Sequence, residues 1–336
     1  MDAVDLFAGP GGWDVAARGL GIDVTGIEWD SHAVATRMCA GLDTIDMDVR
    51  DVDPLIFADD DGLIASPPCP TFSVAGSGEG RRNLDRVLHA VESIARHGGA
   101  VSTEAITAMT AGLDERTALI LYPFMWALAI RPRWIAFEQV PPVLPVWQVI
   151  AKHLRDIGYH ADARLLNSEE YGVPQTRRRA ILMASLDHLP QPIATHRVFS
   201  NNVPQDKGDP RLLPWVSMAE ALGWGPDPDD VIARASAIEY CASDTAVDLT
   251  RPLRRPATAV VVATRKVIVH PGGNRSSSNN ATKSRNDGLR LPPDECGVLQ
   301  SFPADYPWCG AAKSQYLQIG NAIPPLMAKA ILAACI

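Results

Sequence analysis

Long hydrophobic runs are missing from this sequence. The longest uncharged apolar stretch, Ala118 to Ile130, is 13 residues with Pro123 inside it, well short of the ~20 residues that cross a bilayer. Paired cysteines are missing too. The six cysteines, Cys39, Cys69, Cys241, Cys296, Cys309 and Cys335, include no C-x-x-C spacing, which excludes a disulfide framework and a cysteine zinc site. The chain opens on Asp2 and Asp5 with no basic n-region, so no secretory signal is visible and a cytoplasmic location is expected. Internal repeats are absent, and 25 Gly and 27 Pro without a period exclude collagen-like order. Lysine is scarce: 25 of the 31 basic residues are Arg, the side chain suited to bidentate phosphate and guanine contacts.

What is present suits a soluble globular chain. Its 336 residues are 46% apolar and 21% charged, enough to bury one large core or two smaller ones. The formal charge of −8 is unevenly spread. Residues 1–61 hold 14 Asp/Glu against 3 Lys/Arg, whereas Arg251 to Arg290 holds nine Lys/Arg and one acid, Asp287. That block reads either as a solvated face or as a phosphate-binding one.

Strand and helix signals alternate through the first half. Ala3 to Phe7, Ile22 to Ile27, Leu63 to Ala65, Trp134 to Glu138 and Ala180 to Ala184 read as strands. Trp13 to Leu20, Ser31 to Cys39, Leu84 to Ile94 and Thr117 to Ile130 read as helices, with another closing at Leu154 to Gly158. This order predicts an α/β fold around a mostly parallel sheet covered on both faces. From about Pro190 the pattern fades into Pro, Asp, Gly and Asn, and returns at Pro293 to Gln300 and Pro325 to Ala334. The expected organisation is a large domain over residues 1–185, a smaller irregular domain over 186–312, and a C-terminal segment over 313–336. The apolar Ala328 to Ile336 would return beside the first strand.

Gly9-Pro10-Gly11-Gly12 follows the first strand and precedes a helix, a nucleotide-loop arrangement in which glycine admits close backbone approach. Glu28 ends the second strand about 20 residues on, where an acid can take both hydroxyls of a ribose. Asp48 is placed to meet an adenine amino group. No Lys or Ser/Thr follows the glycines as in a P-loop, so an adenosine ligand without a triphosphate fits, S-adenosylmethionine being the commonest. A dinucleotide-binding fold fits the same pattern. Farther on, Pro67-Pro68-Cys69 and Glu138 each close a predicted strand, so a thiol and a carboxyl would face one pocket. Such a pair can attack a ring carbon and supply a proton to the same ring.

Six segments then match in order. Asp5-Leu6-Phe7-Ala8-Gly9-Pro10-Gly11-Gly12, Pro67-Pro68-Cys69-Pro70-Thr71-Phe72-Ser73 and Phe137-Glu138-Gln139-Val140 resemble motifs of the cytosine-C5 methyltransferases. So do Gln175-Thr176-Arg177-Arg178-Arg179, Arg254-Arg255-Pro256-Ala257-Thr258 and Gln318-Ile319-Gly320-Asn321-Ala322-Ile323-Pro324-Pro325. The resemblance spans nearly the whole chain, apart from a long stretch between Cys69 and Glu138. Two departures stand out: Pro70 where many relatives have Gln, and Gln139 in place of the usual Asn, which is expected to weaken a hydrogen bond orienting the nucleophile's loop.

The resemblance implies a Rossmann-like S-adenosylmethionine-dependent methyltransferase fold with a smaller irregular target-recognition domain. It implies Cys69 as the nucleophile on C6 of cytosine, Glu138 on N3 and the exocyclic amine, and Arg179 on O2 with Arg177 nearby. S-adenosylmethionine would lie against Phe7, Gly9 and Gly11, with Glu28 on the ribose and Trp29 along the adenine. Asp48, Val49, Pro68, Leu119 and Asn321 would line the rest. DNA would meet Ser73, Arg81, Arg82, Arg254, Arg275, Lys283 and Arg285. Gly76 to Arg82 would close over it, and the stretch on to Glu115 reads as a lid extension or as a surface excursion. Double-stranded DNA is the implied partner, joined by a cognate restriction endonuclease in a host-protecting role; a monomer, no metal and no membrane are expected. A tRNA-acting relative would share the chemistry, but that branch's Cys-Phe-Thr signature is absent. A catalytically silent cofactor- or DNA-binding protein would not need Cys69, Glu138 and Arg179 intact.

The basic block carries the first prediction. Each phosphate contact contributes about −0.9 to the log–log salt slope of duplex binding. Neutralising Arg275, Lys283 and Arg285 is expected to flatten that slope in a salt titration of DNA affinity. An unchanged slope would return the block to a solvated face.

Overall fold

The computed structural model describes residues 1–68, 71–72, 78–98, 101–200, 203–223, 257–258, 268–269 and 289–336. Two compact units make up the chain. The first comprises Met1–Asn167, Arg178–Ile193 and Met327–Ile336; the second comprises Ser168–Arg177 and Ala194–Leu326.

A seven-stranded sheet organises the first unit. Its strands are β1 (Asp2–Leu6), β2 (Asp23–Glu28), β3 (Asp43–Asp46), β4 (Gly62–Ala65), β5 (Trp134–Gln139), β6 (His160–Asn167) and β8 (Arg178–Ser185). They lie in the order β3-β2-β1-β4-β5-β8-β6. The first five are parallel, and β8 runs antiparallel to both β5 and β6. The expected α/β sheet is therefore present and mixed, with an antiparallel strand inserted near one edge.

Apolar runs build the central strands because both faces are covered. Val4 and Leu6 of β1 join Leu63, Phe137 and a helical layer in one core. That layer includes α4 (Leu84–His97), α7 (Tyr122–Ile130) and α8 (Leu144–Asp156). The expected single helix over 117–130 is divided into α6 (Glu115–Ala118), a 3-10 turn at Leu119–Leu121, and α7. Pro123 sits in the first turn of α7, where its missing N–H is harmless, whereas inside a longer helix it would break the ladder.

α4 also settles the long stretch between Cys69 and Glu138. Val87, Ala90, Val91 and Ile94 are buried in the sheet's own core, and Ile106 of α5 (Thr103–Met109) joins them. This segment is a core layer, which corrects the surface-excursion reading. The acidic and basic residues between its apolar positions concealed that burial.

On the other face, α1 (Gly12–Arg18) and α2 (Ser31–Cys39) are joined by a buried ion pair. Arg37 is fully buried and grips Asp14 through both terminal nitrogens, at 2.7 and 2.9 Å. It also donates to the Thr44 hydroxyl at 3.0 Å and the Asp43 carbonyl at 2.9 Å. Gly26 of β2 makes room for it, because a Cβ there would lie 1.9 Å from Arg37 Nη2. Removing one partner of such a pair costs roughly 3–5 kcal/mol, since a buried charge is left uncompensated. The C-terminal α12 (Pro325–Cys335) supplies the last residues of this unit; its Cys335 thiol reaches the Ile135 carbonyl of β5 at 3.6 Å.

In the second unit, β7 (Gln175–Thr176) pairs in parallel with β9 (Ala257–Thr258), and β10 (Ile268–Val269) pairs antiparallel with β11 (Leu289–Arg290). Helices α9 (Met218–Ala221), α10 (Pro293–Leu299) and α11 (Ala312–Asn321) and a 3-10 turn at Ser168–Tyr171 also belong to it.

Asp5 is the anomaly of the first unit. It is fully buried on β1, opposite Gly26, and neither carboxylate oxygen has a hydrogen-bond partner among the described residues. Burial pushes its pKa well above the ordinary carboxylate value; the negative charges of Asp14 and Glu28 add to this and Arg37 opposes it. The folded protein thus keeps a proton that the unfolded chain sheds near pH 4. Stability from this site is full below that pH and is lost as pH rises towards the folded pKa. Asp5→Asn is expected to raise the melting temperature at neutral pH and to lose that advantage below pH 4. Parallel melting curves against pH for the two proteins would refute it.

Candidate active site

The loops leaving the carboxyl ends of the parallel strands carry most of the predicted site. In such a sheet, ligands bind where successive connections leave in opposite directions, which is between β1 and β4 here. Phe7 follows β1 with φ 60°, a left-handed conformation uncommon outside glycine, and Gly9 and Gly11 come next at 55° and 100°. Three left-handed residues in five fold the chain back before α1 begins.

One carboxylate holds that loop. Glu28, at the end of β2, accepts the Gly9 N–H at 2.8 Å through Oε2, and the Trp29 and Asp30 N–H groups at 2.9 and 2.8 Å through Oε1. A carboxylate has about four acceptor sites, so Oε2 keeps one. Nothing lies within 4 Å of where a Gly9 side chain would begin, and the Trp29 side chain is 65% exposed. An acceptor, an aromatic face and an open glycine floor fit an adenosine ligand.

Asp48 caps a short 3-10 turn, Val49–Asp51, and is engaged by Arg50. It accepts the Arg50 N–H at 2.9 Å and a two-nitrogen contact from the guanidinium at 3.0 and 2.7 Å. Burial works to raise the Asp48 pKa, but these hydrogen bonds outweigh it and hold the group below the ordinary value. Val49 is buried, Leu119 half-buried and Pro68 exposed. Sequence reasoning missed the Arg50 contact, although an Asp-Val-Arg turn carries the two charges that make it.

Glu138 and Gln139 end β5 side by side and do different work. The Glu138 carboxylate is buried, with Arg179 Nε 2.7 Å from Oε1. That N–H does not point along the contact, so the oxygen is paired in charge while its hydrogen-bonding capacity stays open. Burial lowers the Arg179 pKa, and Glu138 counteracts this. Gln139 donates to the Pro67 carbonyl and accepts the Val140 N–H at 2.5 Å. The expected weakening at this position is therefore corrected: the longer glutamine side chain reaches the Pro67 carbonyl and makes the bond. Trp13 Nε1 adds a hydrogen bond to Ser66 Oγ at 2.9 Å.

Arg177 and Asn321 belong to the second unit. Arg177 is 2% exposed and donates to the Gly320 carbonyl at 2.9 Å, while Gln300 donates to the Ala322 carbonyl at 2.5 Å. The backbone on both sides of Asn321 is thereby held, with the asparagine itself exposed. Arg81 and Arg82 are exposed on α3 (Glu79–Arg82). Cys69, Ser73, Arg254, Arg275, Lys283 and Arg285 lie outside the described residues. Among the described residues, no group of three His, Cys, Asp or Glu could hold a metal ion, and no helix is long and apolar enough to cross a membrane.

The fold and this strand-end constellation are those of a methyltransferase. The profile of the C-5 cytosine-specific DNA methylases matches residues 1–94, 107–223 and 234–336, and the chain belongs to that family. The break between 94 and 107 falls within the helical layer that follows the nucleophile's turn. The chain is 26% identical over 342 residues to the type II methyltransferase M.AplI of Arthrospira platensis, covering 98% of this chain and 83% of that protein. It is 27% identical over 204 residues to the orphan methyltransferase M.SPBetaI of Bacillus phage SPbeta, covering 56% of this chain and 46% of the phage protein. A crystal structure of a Spodoptera frugiperda DNMT2 mutant superposes with a TM-score of 0.62 at 15% identity, covering 99% and 98% of the two chains. That likeness is one of fold.

Gln139 carries the prediction of this site. Gln139→Ala leaves the buried Pro67 carbonyl unpaired, at a cost of about 1–3 kcal/mol, and frees the turn before Cys69. Methyl-transfer rate is expected to fall by roughly 10²-fold, the scale of a misplaced reacting group. A rate equal to wild type would show that the bridge does not orient the turn.

Proposed function

We propose that this protein methylates C5 of cytosine in duplex DNA, within a short specific sequence, through a covalent bond between Cys69 and C6. The observation that carries the reading is the pairing on β5: a buried carboxylate beside an arginine, next to a glutamine that grips the turn leading to Cys69. S-adenosylmethionine, when bound, supplies an activated methyl group. Phe7, Gly9, Gly11, Glu28, Trp29, Asp48, Val49, Pro68, Leu119 and Asn321 are the residues assigned to holding it.

The residues divide the chemistry as follows. A thiolate at Cys69 adds to C6 and drives electron density to C5, which makes that carbon nucleophilic. The Glu138 carboxyl hydrogen-bonds N3 and the exocyclic amine, where charge develops on the ring. Arg179 donates to O2 and offsets negative charge there. C5 then takes the methyl group, and loss of its proton with departure of the Cys69 thiolate restores the aromatic ring of 5-methylcytosine. Because C6 is stacked inside a duplex, the cytosine is first flipped out, at a cost of a few kcal/mol.

The second unit and the basic block Arg251 to Arg290 are assigned to reading and holding DNA, with Ser73, Arg81 and Arg82 on the phosphates. The similarity to M.AplI favours a type II modification role beside a cognate endonuclease; the similarity to M.SPBetaI favours a solitary one.

Labelled methyl from S-adenosylmethionine is expected in DNA and not in RNA, and Cys69→Ala is expected to abolish it while DNA binding survives. Duplexes carrying 5-fluorocytosine should capture the wild type irreversibly and leave Cys69→Ala free. Transfer by Cys69→Ala at a rate near wild type would sink the covalent mechanism, and label in RNA alone would change the substrate.

A further inference from the structure

Upstream of Cys69 the chain is held by Gln139, which donates to the Pro67 carbonyl. The downstream side has a separate anchor. Thr71, two residues past Cys69, is fully buried, and so is Thr117 in α6. The Thr117 hydroxyl donates to the Thr71 hydroxyl at 2.9 Å, and the Gly80 N–H of α3 donates to the Thr71 carbonyl at 3.1 Å. Phe72 is also fully buried. Its ring occupies the space a Gly80 side chain would take, 2.3 Å from where the Cβ would stand. Glu79 then accepts the Asp114 N–H at 3.0 Å, joining α3 to the start of α6.

This support is continuous with the core of the sheet. α3 leads directly into α4, whose apolar face is buried in the core of the sheet, and α6 leads through a 3-10 turn into α7 in the same core. Thr71 is therefore tied to two elements whose neighbouring helices are packed into that core. Two hydroxyls with no solvent access also select one geometry, because each loses its partner if the turn moves.

We infer that Thr117 is a positioning residue for the nucleophile, holding Thr71 and with it the downstream end of the Cys69 turn against the inserted helical layer. The inference rests on Cys69 being the nucleophile. Addition of a thiolate to C6 requires the two atoms about 3–3.5 Å apart and aligned. Pro67 and Thr71, on either side of Cys69, are then both held before the cytosine arrives.

The test is single-turnover capture by a 5-fluorocytosine duplex with S-adenosylmethionine, alongside steady-state methylation of unmodified DNA. During capture the Cys69 sulfur bonds to C6, C5 takes the methyl, and S-adenosylhomocysteine leaves. Fluorine then replaces the proton whose removal would release the thiolate, so the adduct persists. T117V is expected to slow capture and kcat together, by roughly 10- to 10²-fold, with KM for DNA and for cofactor within about twofold of wild type. T117S, which restores the hydroxyl, should recover most of the rate. T71V cuts the same bond from the other side, so T71V/T117V should be no slower than the worse single variant.

Melting curves fix an assay temperature at which every variant is folded. Capture by T117V at the wild-type rate, a change confined to KM, or single-variant losses that multiply in the double variant would each overturn the anchor. Absence of an adduct with the wild type, or an adduct with Cys69→Ala, would overturn the nucleophile itself and the anchor with it.

Discussion

Three backbone amides converge on the Glu28 carboxylate, and the shape of the glycine loop depends on that convergence. A loop with Phe7, Gly9 and Gly11 all in the left-handed region has no ladder of its own to hold it. Left-handed φ at a phenylalanine costs free energy that the surroundings must offset. Glu28 does so from the neighbouring strand, where the parallel pairing of Leu6 with Ile27 sets it one residue beyond the end of β1. The Arg37–Asp14 pair fixes the helices on that face, so loop, strand ends and helix starts are locked as one piece.

Period-two geometry explains why β5 can do two things at its end. Adjacent residues on a strand point to opposite faces, so Glu138 and Gln139 cannot compete for the same partner. Glu138 meets Arg179 on β8, while Gln139 crosses to the turn after β4. A one-residue slip would exchange the two and put the amide where the charge is needed. The register with β8, where Glu138 faces Ile181 and Gln139 faces Ala180, prevents that slip through a buried antiparallel ladder.

How much of this was legible in the sequence follows from the range of each interaction. β1, β2, β4, β5 and β8 could be read because their apolar runs are continuous. β3 and β6 could not: Asp43–Asp46 carries acids at both ends, and His160–Asn167 is a half-buried edge strand with Asp162 and Arg164 within it. The glycine loop, Glu28 and Glu138 were legible because motif order and strand ends mark them. The Arg37–Asp14 pair, 23 residues apart, and the Thr71–Thr117 pair, 46 apart, leave no local pattern. Polar residues buried against distant partners look the same in a sequence as solvated ones.

The run Gln175-Thr176-Arg177-Arg178-Arg179 shows where partners, and not residue type, decide a role. Its three arginines are consecutive, yet the chain passes from the second unit to the first between Arg177 and Arg178. Arg177 is buried against the Gly320 carbonyl, in a network where Gln175 donates to Gln300 at 2.7 Å and Gln300 to Ala322. Arg178 is exposed. Arg179 alone sits against a buried carboxylate. A guanidinium has five donors and no acceptor, so each of these positions satisfies it differently: by backbone carbonyls, by water, or by an anion. Only the third is a charge pair at a strand end, with Glu138 Oε1 lacking a hydrogen-bond donor among the described residues. Partners thus divide the motif: its last arginine pairs with a carboxylate, and the residues before it hold the backbone on either side of Asn321.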